Sequence, residues 1–360
     1  MVPVLTAIAA TAGAGCDGDG GTVRLSGDET ADAGASLLVT VAVADVVLHL
    51  DPETGSRIER IPVDPRPSES DEPHGVTVSP DGEHWFVTLA HGEASLSKFE
   101  RVGNRLVGRG LLGAAGAARV ELSGDGTIAY VADYDRSMPG ADGEVLAIRT
   151  HDLEVQARNR ICEGPHHALP DPGTRLVAVA CSLGDEIVIL DASDLSEVRR
   201  FPVDPEPGAP GTPRFKPLNL AWSPEGDHLY VALHLADRVR VFDPAGTVVG
   251  DVATGRRPAQ IAVSEDGSTL VAANRGDGTL SVIDVTSQAE LSRIDLGAAH
   301  PHGVVLSGSA ETAFVTCEGT TGTPGRTVAV RLGPEPAIAW SVETGPVPLG
   351  IAWMPSRVRP

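Results

Sequence analysis

Lysine is almost missing from this chain. Of its 28 basic residues only Lys98 and Lys216 are lysines, and 49 acidic residues leave a formal charge of −21. A field of that sign repels phosphate backbones and anionic headgroups, so nucleic-acid binding and polybasic membrane attachment are excluded, while cations are drawn in. Long helices are excluded too, because 41 glycines and 28 prolines break any extended helical run in 360 residues. No CxxCH occurs, so covalent haem c is not expected. Every glycine cluster lies between two strand-like runs and none opens a helix, which excludes a phosphate-cradling nucleotide loop.

No apolar run is long enough to span a bilayer, which takes about 20 residues. The longest candidate, VPVLTAIAATA at residues 2–12, is followed by Gly13-Ala14-Gly15-Cys16 and an Asp/Gly/Ser-rich stretch. The run reads as the apolar core of an export signal. Residues 1–16 are therefore expected to be a signal segment, 17–36 a flexible linker, and 37–355 one domain. The small residues before Cys16 resemble a bacterial lipoprotein cleavage box, which implies lipid on Cys16 and a place in the periplasm or cell envelope. Membrane contact is expected only through that anchor. Among the other cysteines, Cys162 and Cys181 are candidates for a disulfide and Cys317 is left over.

What is abundant is one repeated phrase. It reads PHGVTVSPDGEHWFVTLAHG from Pro73, AARVELSGDGTIAYVADYD from Ala117, PHHALPDPGTRLVAVACS from Pro165 and PLNLAWSPEGDHLYVALH from Pro217. It returns as PAQIAVSEDGSTLVAANRGDG from Pro258 and PHGVVLSGSAETAFVTCEG from Pro301, and ends in a truncated PLGIAWMP from Pro348. Successive starts are 41 to 52 residues apart, the span of four short strands with their turns. The N-terminal part supplies a second, third and fourth strand with no first, and the C-terminal GIAWMP is a first strand with nothing after it. The expected fold is thus all-β: a seven-bladed propeller of four-stranded blades, closed when the C-terminal strand joins the N-terminal blade.

At the second strand of these repeats the chain reads FVTL (Phe86 to Leu89), YVAD (Tyr130 to Asp133), YVAL (Tyr230 to Leu233) and FVTC (Phe314 to Cys317). In these segments it resembles the YVTN family of seven-bladed β-propellers. The resemblance implies a fold shared by surface-layer proteins, periplasmic binding proteins, lactonases and the propeller parts of redox enzymes, and so leaves activity open.

In such a blade the first strand begins and the second ends at one mouth of the central channel. Seven of the eleven histidines (74, 91, 166, 167, 234, 300 and 302) fall at those two places. The expectation is a metal site there, for copper or zinc, with ligands drawn from His74, His91, His166, His167, His234, His302, Cys317 and Glu318. The bland alternative is that each histidine only holds a backbone carbonyl. The leading functional reading is a monomeric, exported binding protein that takes a metal ion or small ligand at this mouth, with an envelope protein as a further candidate partner. The alternative is a metal-assisted hydrolase or lyase of lactonase type, with His91 or His234 as general base. A third is a protein-interaction scaffold that docks through the Pro/Gly-rich loop 204–216.

Overall fold

A computed structural model describes residues 34–64, 71–114, 116–134 and 140–357. The signal segment, most of the expected linker, and Cys16 lie outside the described residues.

The described chain folds into seven four-stranded antiparallel sheets. Blade 1 is the closure blade, where Pro348–Met354 forms the inner strand and pairs with Ser36–Val41, followed outward by Val46–Leu50 and Arg57–Pro62. Blades 2 to 7 then follow in order, at residues 73–111, 117–163, 165–202, 217–253, 258–295 and 301–345. Joining the two ends of the chain in one sheet leaves no open edge in the ring.

Each apolar cluster lies between two neighbouring blades. Tyr130, Val145 and Cys162 of blade 3, for example, pack on Val179, Cys181 and Val188 of blade 4. Burial of the two middle strands on both faces explains why they read as near-continuous apolar runs, whereas the fourth strand is exposed along most of its length. The sulfurs of Cys162 and Cys181 are bonded within this inter-blade cluster, with the Cα atoms 5.9 Å apart.

Two devices tie one inner strand to the next. In blades 1, 2 and 7 a threonine of the second strand is the tie. Thr88 accepts from Gly75 N–H of its own blade at 2.9 Å and donates to the Ala118 carbonyl of the next at 2.6 Å. Thr316 does the same with Gly303 and Leu349, and Thr40 with Gly350 and His74. The glycines are required because the adjacent strand runs so close that a Cβ on Gly75 would meet Ala118 and Val120 backbone atoms at 2.9 Å. In blades 4, 5 and 6 the threonine is replaced by Ala180, Ala232 and Ala273, and the residue in glycine's place accepts the neighbouring amide instead. Leu220 N–H goes to His167 Nδ1, Ile261 N–H to Asn219 Oδ1, and Val304 N–H to Gln260 Oε1.

The chain turns from an outer strand into the next inner strand through a left-handed residue directly before the proline. Glu72, Lys216, Arg257, His300 and Val347 have φ between 48° and 57°, and Gly164 has φ 65°. Such a conformation is uncommon for residues with a Cβ, so these positions are held by their surroundings. Asp45 supports one such turn by accepting from the Asp71 and Glu72 amides. The loop 204–216 is anchored in the same manner, because the Asp185 carboxylate accepts from Gly208, Arg214, Phe215 and Lys216 N–H groups. That loop forms part of the channel rim and delivers Lys216 to it.

Candidate functional site

The upper mouth of the channel, where first strands begin, holds a pocket of about 290 Å³. Second-position residues of the repeat reach it: His74, His166 and His302, from blades 2, 4 and 7. His74 lies between the other two, with ring centroids 6.4 Å from His166 and 5.8 Å from His302, both edge to face. Tyr134 packs its edge on His166 at 4.9 Å. His234, Arg119, Lys216, Arg275 and Glu318 complete the polar part of the wall.

The tautomers follow from the blade geometry. His166 Nδ1 lies 2.8 Å from the Leu218 carbonyl, His234 Nδ1 is 3.1 Å from that of Pro258, and His302 Nδ1 is 3.4 Å from that of Leu349. A carbonyl only accepts, so in each ring Nδ1 carries the proton and Nε2 keeps its lone pair. His74 Nε2 is buried with no partner among the described residues. Burial keeps all four rings neutral: His74 is pushed down to about 3, with the nearby His302 adding to the effect, and His234 to about 4. His166 lies well below the ordinary imidazole range and His302 below it, again chiefly through burial. Glu318 receives Arg275 bidentately at 2.8 and 2.6 Å; burial alone would raise its pKa, but this pairing outweighs it and holds the carboxylate charged.

The other candidates go elsewhere. His91 is exposed and pairs with Glu72 at 3.2 Å, outside the pocket wall. His167 is one residue further along its strand than His166 and therefore faces the middle of the channel. Its Nδ1 accepts from Asn219 and Leu220, and its Nε2–H donates to Glu121 at 3.0 Å, so both nitrogens are used. Arg119 also bonds Glu121, at 2.8 Å. Burial by itself would raise the Glu121 pKa, yet Arg119 and His167 hold it down at about 2. His300 is half-buried and gives its Nδ1 to the Gly319 carbonyl. Cys317 is buried in the cluster between blades 6 and 7, and burial pushes its thiol up to about 12, aided by Glu318.

Copper and zinc hold their ligand atoms about 2.0 to 2.3 Å from the ion, so three ligands must lie within about 4 Å of one another. Among the described residues, the one His/Cys/carboxylate group of three with donor atoms within 4.8 Å is Cys162, Cys181 and Glu186, and there the two sulfurs are bonded to each other. The mouth histidines are spread more widely, and Arg119, Lys216 and Arg275 bring positive charge beside them. This arrangement does not fit a metal ion as it stands.

Sequence reasoning missed Arg119, Lys216 and Tyr134. None shares a residue type with the histidines, and Lys216 reaches the mouth through a loop held by the Asp185 carboxylate and by Phe215 and Lys216 carbonyls that accept from Leu235 and His234 N–H. Two signals were available: Arg119 occupies the repeat position filled by Gly75 and His167 in the neighbouring blades, and Tyr134 directly follows its second strand as His234 and Glu318 follow theirs.

Fold and site together define a seven-bladed propeller with a histidine-lined pocket at one end of its channel. The chain belongs to the family described as "Lactonase, 7-bladed beta-propeller", which it matches over residues 47–321. No curated protein sequence matches it. Among solved structures, a candidate 6-phosphogluconolactonase from Bacteroides uniformis ATCC 8492 is similar with a TM-score of 0.71 at 14% identity, covering 89% of this chain and 99% of that one. The periplasmic gluconolactonase PpgL of Pseudomonas aeruginosa gives 0.69 at 18% identity, with the same coverages. Kuenenia stuttgartiensis hydrazine synthase gives 0.58 at 20%, covering 69% of this chain and 80% of that one. At such identities the likeness establishes the fold.

Proposed function

We propose that this protein is a lactone hydrolase whose reaction takes place in the upper-mouth pocket. Family membership and the gluconolactonase-like neighbours support hydrolysis ahead of a metal-binding scaffold. The observation that carries the reading is the set of neutral imidazoles with Nδ1–H tied to neighbouring carbonyls and Nε2 left as base, gathered beside cationic side chains in one pocket.

His166 is the proposed general base, since the shortest of the carbonyl bonds and the Tyr134 edge fix its ring. A water molecule gives its proton to His166 Nε2 as its oxygen attacks the lactone carbonyl carbon. Negative charge that develops on the carbonyl oxygen is met by Arg119 or Lys216. The ring C–O bond then breaks, and the departing alkoxide recovers the proton from the imidazolium, giving one hydroxy acid per lactone. Arg275 and Glu318, bound to each other, shape the opposite wall and keep a full negative charge from facing the product carboxylate alone. No step is routed through a metal.

The test is turnover on a panel of sugar and aliphatic lactones, followed by proton release. The His166→Ala variant is expected to lose about 10²–10⁴-fold in kcat/KM with its fold intact by circular dichroism. Unchanged turnover in that variant, or no turnover of any lactone by the parent protein, overturns the proposal. Export is part of the same reading, supported by the Cys162–Cys181 disulfide, since such bonds persist in oxidising compartments.

A further inference from the structure

The other end of the channel holds a second and larger cavity, about 480 Å³, where the first strands finish. Its wall has no histidine with a free nitrogen and carries more aliphatic side chains than that of the upper pocket. Val78, Leu122, Leu169, Val263, Val305 and Trp353 supply an apolar ring drawn from six blades. The charged residues at its inner end cancel: Arg119 and Glu121 are bonded to each other, and His167 is neutral with both nitrogens bonded. Asp171 lies at the rim, its carboxylate accepting from the Arg175 and Leu176 amides. Trp222 also lines the cavity, and its indole Nε1–H is buried with no acceptor among the described residues. A buried donor left unpaired is costly, which favours an occupant that brings an acceptor.

We propose that the lower mouth is a binding site for a small, uncharged, largely apolar molecule carrying one hydrogen-bond acceptor, such as an aryl or alkyl ketone or ester. The ring of inner strands fixes the size, because seven strands closed on themselves admit a small molecule and not the face of another protein. The neutralised ceiling fixes the charge, and the orphan indole N–H fixes the acceptor. Val76, Arg119, Gln260 and Ile351 line both cavities, so an occupant of the lower one touches the wall of the upper one. The proposal does not depend on lactone hydrolysis.

The probe is prodan, a neutral naphthalene ketone whose fluorescence reports both apolarity and hydrogen bonding. Titration into the full chain is expected to saturate at one probe per chain with a blue-shifted emission. Ala262→Phe, which fills the cavity, should weaken binding at least 10-fold. Trp222→Phe keeps an aromatic ring and removes the donor, so it should weaken binding about 2- to 10-fold and shift emission further to the blue. His74→Asn at the upper mouth should leave the titration unchanged. Saturable binding that neither Ala262→Phe nor Trp222→Phe alters would overturn the proposal, as would binding abolished by His74→Asn. Absence of saturable binding by the parent chain overturns it as well. Lactone turnover measured on the same samples separates this outcome from failure of the proposed hydrolysis.

Discussion

The two ends of one channel are built from the same seven strands and yet are lined by different side chains. At the upper end, second-position residues of the repeat include His74, His166 and His302, and loops add Lys216 and Arg275. At the lower end, residues three or four positions further along the same strands are Val78, Leu122, Leu169 and Val263. Between them runs a belt in which Arg119, Glu121, His167 and Asn219 bond to one another in sequence around the channel. The contrast teaches that the histidine excess has two meanings, separated by a single residue. His166 keeps a free Nε2 in the pocket, whereas His167 spends both nitrogens on holding blades together.

Breaking the belt should have the largest effect on stability. Arg119→Leu leaves the Glu121 carboxylate short of its main countercharge and is expected to cost about 3–5 kcal/mol in denaturant unfolding. The Arg119→Leu, Glu121→Leu double variant should recover most of that loss; if it does not, the belt holds the ring by packing and not by pairing. Next comes the disulfide. Replacing Cys162 and Cys181 with alanine opens a loop of 19 residues and should cost about 3 kcal/mol. Turnover per folded molecule should stay the same, because neither sulfur lines the upper pocket, and a drop in turnover would tie the two mouths to that blade junction.

Acid should act on the upper mouth more than on the lower. His74 and His234 ionise near 3 and 4 in the folded chain against 6.5 when unfolded. The unfolded chain therefore takes up protons that the folded chain refuses as pH falls below 6.5. Stability should fall across that range, by up to about 1.4 kcal/mol per pH unit for each imbalanced imidazole, and His74→Asn should flatten the slope. A slope unchanged in His74→Asn would show that this ring is not held neutral. The smallest effect is expected at His91, whose exposed pair with Glu72 lies outside the pocket. His91→Ala should change unfolding free energy by less than about 0.5 kcal/mol and leave lactone turnover intact. Lost turnover would return His91 to the role of general base.

Much of the fold was legible in the repeats because a blade is a local object. Four strands, their hairpins and the missing first strand can all be counted along the chain, and the pairing of Ser36–Val41 with Pro348–Met354 follows from that count. The site was legible only as a level in the channel. Counting from the repeat places His74, His166 and His302 at one height, but it also placed His91 and Cys317 there. The pocket takes the residue directly after the second strand, as Tyr134, His234, Arg275 and Glu318 show; His91 is one residue further on and exposed, while Cys317 is one residue earlier and turns into the apolar seam between blades. Nor could the count see that His167, Asn219 and Gln260 substitute for the threonine ties of the other blades, because that role depends on an amide in the next repeat.

By itself, then, the sequence determined the number of blades, the closure of the ring and the height at which polar residues collect, since each depends on alternation and period within a repeat. Only the tertiary structure decided which histidines keep a free nitrogen, where the few cationic side chains gather, and that an apolar ring rims the channel at the lower end alone. Those properties come from contacts between different blades, and most residues that meet there are separated by about a full repeat along the chain. In a chain of charge −21, the pocket that matters is edged by arginines and by one of its two lysines. Net charge is a sum over the whole surface, whereas the potential inside a narrow channel is set by the few groups that reach it.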